Sequence, residues 1–209
     1  MNQLNSEIEK HPLKMFLASL VVVGFLTKII SEFIHEIGHG IFVLLFRGEI
    51  LEIYISPFWP LQHSWIKWSF PRQIGREELA VIYAGGILFC LIISFLIQVL
   101  LSLRETFWFY KLSLAWLSFW TLLNGTGYLI LGGIKPFGDI EQLINIGYLT
   151  QPSSFVLGLS LFIIGCYTLS KIFFGVFLKF FSAKTSRILI VIFWMQVPLY
   201  SLLYLLTIL

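Results

Sequence analysis

Charged residues are scarce in this chain: they make up 12% of its 209 residues, against about 25% in soluble domains. Hydrophobic residues account for 58%, and the mean hydropathy is +0.89. The net charge of +3 is small and no basic cluster stands out, so we expect no nucleic-acid partner. Only two cysteines occur, both within apolar sequence, and they indicate no particular redox compartment. Such a composition excludes an ordinary soluble domain and predicts a protein of the lipid bilayer.

Long apolar runs occupy most of the chain. A helix needs about 17–25 apolar residues to cross the hydrocarbon core, and five stretches qualify, at roughly 14–46, 79–101, 107–131, 155–178 and 188–209. No gap between them approaches the roughly 50 residues of a minimal folded domain. We therefore predict an all-α polytopic membrane protein, with five to six transmembrane helices in a single integral membrane domain over 1–209.

The segment after the first apolar run has a different periodicity. Residues 49–56 and 65–70 alternate between apolar and polar, and Pro57 and Pro60 lie between them. This pattern predicts two short strands joined by a turn, which form an interfacial β-hairpin. The hairpin is either a cap at the membrane surface or an edge to which an unwound substrate segment adds as a strand.

The first apolar run contains the motif HExxH, formed by His35, Glu36 and His39. At about 100° per residue, a helix places His39 about 40° and Glu36 about 100° from His35. Two imidazoles then converge on one metal ion, with the carboxylate beside them. Zn²⁺ suits this arrangement, and Glu36 can take a proton from water as it attacks a carbonyl. Chance predicts only about 0.004 such motifs here, so we prefer metalloprotease chemistry to a charged patch at a helix end.

Other polar residues fall on the same arc of this predicted helix. Lys28, Ser31 and Glu32 lie within about 60° of His35 on the helical wheel. Ionisable side chains at the centre of a bilayer cost about 2.5–3.5 kcal/mol each on insertion scales, so they are usually retained for a partner or a reaction. The arc also fits a transporter or proton pathway, although one helix is thin support for either.

Two later positions are candidates for the same site. Asn124 interrupts an apolar run, and its amide either bonds another helix or holds a substrate backbone or a developing oxyanion. Asp139 is the only aspartate in the chain and follows a glycine- and proline-rich break, where it is predicted to cap a short helix. Non-helical backbone at membrane depth is tolerated where it lines a cavity, which fits a third metal ligand from this break. Glu141 is the nearest rival for that role.

Three stretches together resemble the site-2 protease family of intramembrane zinc metalloproteases: HEIGHGIFVLLFRGEILEIYISPF, YAGGILF and PFGDI. They look like the family's HExxH helix with its short strands, its glycine-bearing second core helix and its aspartate motif. The resemblance covers about residues 30–145 and leaves about 155–209 as accessory helices. It implies a core of three helices and zinc bound by His35, His39 and Asp139. It also implies that Glu36 is the general base and that the substrates are transmembrane segments of other membrane proteins.

We therefore expect a multi-pass zinc metalloendopeptidase, most readily placed in the cell membrane, that cuts peptide bonds in or near transmembrane segments. One alternative is a catalytically silent relative that binds membrane segments as a chaperone or regulator. Another is a membrane metalloprotease of a different family that cuts exposed tails near the surface. The identity of the substrate and the oligomeric state stay open at this point.

Overall fold

The computed structural model describes residues 12–57 and 63–208, and it is built mainly of helices. Within these residues the helices are α1 (Pro12–Leu45), α2 (Arg76–Leu103), α3 (Trp108–Ile134), α4 (Gly138–Asn145), α5 (Gln151–Phe177) and α6 (Ala183–Ile208), and the strands are β1 (Glu49–Tyr54) and β2 (Trp65–Ser69). All the helices except α4 are long and apolar enough to cross a membrane. The prediction of an all-α polytopic membrane protein is thereby confirmed.

Helix α1 is one uninterrupted helix of 34 residues. At about 1.5 Å per residue it is about 50 Å long, which exceeds a hydrocarbon core of about 30 Å. The chain leaves α1 through a tight turn, in which Arg47 has a φ of 63° and the Gly48 N–H donates to the Val43 carbonyl at 2.8 Å. This bond satisfies one of the last carbonyls of the helix. The turn leads directly into β1 and keeps the hairpin beside the end of α1.

The hairpin pairs β1 with β2 in antiparallel register. Tyr54 lies opposite Trp65, and Glu49 lies opposite Ser69, with an irregularity between Ile50 and Glu52. The predicted strands at 49–56 and 65–70 are therefore confirmed with slightly shorter bounds. Pro60, which was predicted to lie in the turn, belongs to 58–62, outside the described residues.

Helices α1 and α2 touch through their backbones. A Cβ placed on Gly38 would lie 2.5 Å from the Gly85 carbonyl oxygen, and a Cβ on Gly85 would lie 2.6 Å from that of Gly38. Small residues commonly allow such close approach between membrane helices. Helix α3 packs on this pair and is the central helix, since 61% of its most apolar stretch is buried against 12% in α6. The crossing brings α2 against the face of α1 that carries the HExxH motif.

Candidate metal centre

The short helix α4 brings Asp139 to the two histidines of α1. Gly138 has a φ of 51°, a left-handed conformation that glycine adopts without a steric penalty. Phe137 is the N-cap residue of α4, so Asp139 lies in the first turn and the prediction that it is the cap was wrong by two residues. The carboxylate is directed to the histidines instead of capping its own helix.

Three ligand-type atoms meet at this point, and we call their residues the ligand triad: His35, His39 and Asp139. The Asp139 Oδ2 atom lies 3.1 Å from His35 Nε2 and 3.2 Å from His39 Nε2. The two Nε2 atoms are 3.2 Å apart. Each histidine is only 3% exposed. The triad could hold a metal ion, because one ion above this triangle can contact all three atoms.

Each imidazole has a neighbour at its other nitrogen. His39 Nδ1 lies 2.7 Å from the Ile82 carbonyl oxygen, which can only accept, so Nδ1 carries the proton and Nε2 keeps its lone pair. His35 Nδ1 lies 3.9 Å from the sulfur of Cys90, and that thiol is 4.0 Å from the Ser31 carbonyl oxygen. The thiol can donate to this carbonyl and accept a weak hydrogen bond from His35. Both Nε2 atoms are then available for a ligand.

Gly86 of α2 forms the wall behind the two imidazoles. A Cβ at this position would lie 2.5 Å from His39 Nε2 and 2.7 Å from His35 Nε2. No side chain fits here without displacing the nitrogen atoms that face the ion site. The residues present therefore fit a bound ion in two respects: they supply converging lone pairs, and they leave room beside them.

The pKa of Asp139 is consistent with a ligand. Burial would raise the pKa of this carboxyl group, but, without a bound ion, the positive charge of protonated histidines and the hydrogen bonds that they donate to Asp139 more than offset that effect. The result is a pKa below the ordinary value for aspartate, which keeps the side chain anionic at neutral pH. An anionic oxygen between two imidazoles also adds a negative charge that favours binding of a cation.

A cavity of about 290 Å³ opens beside the triad. Glu36 lines it and is only 4% exposed. The hairpin forms another wall, to which the cavity-lining residues Ser64, Trp65, Ile66 and Trp68 belong. Tyr128 of α3 also lines the cavity, and its ring stacks on His35 at 4.9 Å between centroids. A carboxylate, three ligand atoms and one strand of the hairpin therefore surround a single space.

The remaining predicted residues lie apart from the triad. Asn124 is 4% exposed and donates from Nδ2 to Ser31 Oγ at 2.8 Å and to Glu32 Oε1 at 3.1 Å. These bonds correspond to the helix-bonding role considered for its amide. Glu141 is exposed, whereas Asp139 contacts both histidines. Another histidine, His63, is exposed at the wall of the cavity.

Several contributors to the site were not predicted. The glycines of YAGGILF contributed to the family resemblance, but they did not predict that Gly86 would abut the imidazoles. A carbonyl acceptor such as that of Ile82 has no signature in sequence. The stacking of Tyr128 on His35 depends on how α3 is rotated against α1, which short-range patterns do not encode.

The fold and the site together define a polytopic helical membrane protein with a buried group, on α1 and α4, that could hold a metal ion. Comparison with protein-family models, with curated proteins and with solved structures finds no match to this chain. Any assignment of function consequently depends on the geometry of the site and on the motifs in the sequence.

Proposed function

We propose that this protein is a zinc metalloendopeptidase that hydrolyses peptide bonds in or near the transmembrane segments of other membrane proteins. The observation that supports it best is the convergence of the ligand triad on one point, with Glu36 lining the same cavity. Its five apolar helices support a multi-pass protein, and the cell membrane is the proposed residence.

The ligand set favours zinc. Two imidazole nitrogens and one carboxylate oxygen, with a fourth position left open, form the usual donor set of catalytic zinc. Zinc–ligand distances of about 2.0–2.1 Å in a tetrahedron correspond to ligand separations of about 3.3 Å. The observed separations are 3.1 and 3.2 Å. Magnesium and calcium prefer all-oxygen sites, so this mixed set argues against them.

Glu36 is the proposed general base. Zinc, when bound, supplies a Lewis acid that makes water more acidic and polarises a peptide carbonyl. Glu36 accepts a proton from the water that adds to the carbonyl carbon and passes it to the leaving amide nitrogen as the C–N bond breaks. The products are a carboxylic acid and an amine, so no co-reactant other than water is needed.

The hairpin is the proposed support for the substrate. A transmembrane helix hides its carbonyl groups in internal hydrogen bonds, so a few residues must unwind before one can be attacked. Unpaired backbone groups in lipid cost several kcal/mol each, which means the enzyme must supply partners. Strand β2 lines the cavity, and an extended substrate added at its edge would find such partners. A catalytically silent binding role is less well supported, because it gives no reason for Glu36 to lie beside a complete ligand set.

The substitution Glu36→Gln tests this proposal. Glutamine keeps the shape of the side chain but cannot accept the proton, so cleavage of a reconstituted model segment should fall about 10²–10⁴-fold while zinc content is unchanged. The matched control is Glu141→Gln, which changes an exposed carboxylate in the short helix α4 and should cleave at the wild-type rate. Near-wild-type cleavage by Glu36→Gln would remove Glu36 from the mechanism, and a wild-type protein that neither binds zinc nor cleaves would reject the proposed function.

A further inference from the structure

A second buried polar group lies on α1, about one turn before the motif. We call it the Glu32 cluster: Lys28, Ser31, Glu32, Asn124 and Ser64. Lys28 Nζ and Glu32 Oε1 form an ion pair at 3.2 Å, with side chains only 8% and 4% exposed. The pair lies within an apolar bundle, and none of its members belongs to the ligand triad.

The Glu32 carboxylate connects three elements of the fold. Its Oε1 atom accepts from Lys28 on the same helix and from Asn124 on α3, at 3.2 and 3.1 Å. Its Oε2 atom accepts from the Ser64 hydroxyl at 3.3 Å. The hydroxyl oxygen of Ser64 in turn accepts from the Ser56 backbone N–H at 3.1 Å. Through Ser64, the Glu32 carboxylate is therefore linked by hydrogen bonds to residues on both sides of the hairpin turn.

Stability alone is a poor reason for such a cluster. Burying an ion pair removes two charges from water, and well-packed apolar residues of similar volume are often as stable or more stable. A buried ionic group does supply structural specificity, because its hydrogen bonds are satisfied in only one arrangement of the surrounding elements. The best-attested use of buried polar groups is accordingly to fix register.

The position of Ser64 makes that register relevant to the site. Ser64 directly precedes β2, and it lines the metal-site cavity together with Trp65 and Ile66. Glu32 lies one turn before Glu36 on α1, about 40° away around the helix. The bond between Glu32 and Ser64 therefore ties the start of the cavity-lining strand to the helix that carries His35, Glu36 and His39.

We propose that Glu32 is a positioning residue, which holds β2 in register with the ligand triad through the Ser64 hydroxyl. The inference rests on the proposed function. In a strand, a shift of one residue turns every side chain to the opposite face. A substrate segment paired with a displaced β2 would present a neighbouring peptide bond to the metal site. The tether thus determines which bond is cut as well as how fast it is cut.

The test compares Ser64→Ala, which removes the tether, with Ser64→Thr, which keeps a hydroxyl group. Ser64→Ala should retain zinc and lower kcat by up to about a hundredfold, which is the cost of a misplacement of about 1 Å. Mass spectrometry of the products should show additional cleavage one or two residues from the original bond. Ser64→Thr should restore most of the rate and the single product. The control Ser160→Ala removes an exposed hydroxyl on α5, which bonds only within its own helix at Val156, and should behave as wild type.

A second measurement does not depend on activity. Hydrogen exchange of the amides in β2 should be faster in Ser64→Ala and in Glu32→Gln than in wild type or Ser160→Ala. Unchanged exchange, or a single product formed at the wild-type kcat by Ser64→Ala, would overturn the positioning role. If wild type itself fails to cleave, the proposed function fails instead, and the exchange data show separately whether the tether exists.

Discussion

The two buried polar groups on α1 lie about one turn apart and differ in how their atoms are satisfied. In the Glu32 cluster the bonds to Glu32 each join a donor to an acceptor, and the ammonium group of Lys28 balances the carboxylate. In the ligand triad, neutral imidazoles and an anionic carboxylate bring three lone pairs within 3.2 Å of one another. Such an arrangement is stable only with a cation or extra protons between the atoms. Burial alone therefore does not separate a structural polar group from a group that could hold a metal ion, whereas the balance of donors and acceptors does.

Metal content is the most severe test of the difference between the ligand triad and the Glu32 cluster. We expect one zinc per chain in the wild type and loss of zinc in Asp139→Ala, because two imidazoles alone leave the site without its anionic ligand. Glu141→Ala is the matched control and should retain zinc, since that side chain is exposed. Elemental analysis of purified protein measures both. Zinc retained in Asp139→Ala and lost in Glu141→Ala would transfer the third-ligand role to Glu141.

Gly86→Ala should weaken the site without removing a ligand. The added methyl group would lie 2.5 Å from His39 Nε2 and 2.7 Å from His35 Nε2, so at least one imidazole must move. Loss of the surroundings that orient metal-binding imidazoles typically costs about 10–100-fold in metal affinity, and competition with a chromogenic chelator would measure a loss of this size. Gly127→Ala is the control, because a Cβ there meets nothing within 4 Å, and it should leave zinc affinity unchanged. Equal affinities for the two variants would show that the wall at Gly86 is not close-packed.

The Glu32 cluster should respond to loss of charge balance. Lys28→Met leaves a buried carboxylate without its cation, which typically costs about 3–5 kcal/mol of stability. The double variant Lys28→Met with Glu32→Met removes both charges and should cost less than the single one. Unfolding of the protein in lipid–detergent micelles can compare them, and zinc should remain bound in the folded form of each. Additive destabilisation in the double variant would contradict a balanced ion pair.

The smallest expected effect concerns the substrate. A model transmembrane segment with Gly and Asn beside the scissile bond should be cut several-fold faster than one with Leu and Ala, because Gly costs about 1 kcal/mol of helix stability relative to Ala. Reconstituted cleavage assays with equal amounts of bound substrate make the comparison. Equal rates would speak against local unwinding, and cleavage confined to soluble tails would favour a protease that acts at the membrane surface.

The sequence predicted well those structural features that depend on periodicity and composition. The five apolar helices and the hairpin follow from runs of 17 or more apolar residues and from alternation, both of which are local properties. The approach of His35 and His39 follows from helical spacing. Asp139 was assigned to the cap of α4 because aspartate favours that position, but α4 begins at Gly138 with Phe137 as its N-cap residue, which leaves the carboxylate in the first turn.

Contacts between distant helices account for what could not be predicted. Asn124 was known only to need a partner, and its bonds to Ser31 and Glu32 depend on the rotation of α3 against α1. Gly86 and the Ile82 carbonyl oxygen act through the backbone of α2, for which side-chain patterns carry no information. The link from Glu32 to Ser64 combines a helix and a turn whose residues are 32 positions apart.

The ligand triad also joins two distant parts of the chain. His35 and Asp139 are separated by 104 residues, so an ion held between them acts as a reversible cross-link that closes the chain from α1 through α3 into a loop. Cross-links that close long loops restrict the unfolded chain most, and any ligand that binds only the folded form raises its stability in proportion to the logarithm of the ligand concentration. For the proposed zinc-bound protein, we therefore expect a chelator to do more than stop cleavage: it should also loosen the attachment of α4 to α1 and lower the unfolding temperature of the whole bundle.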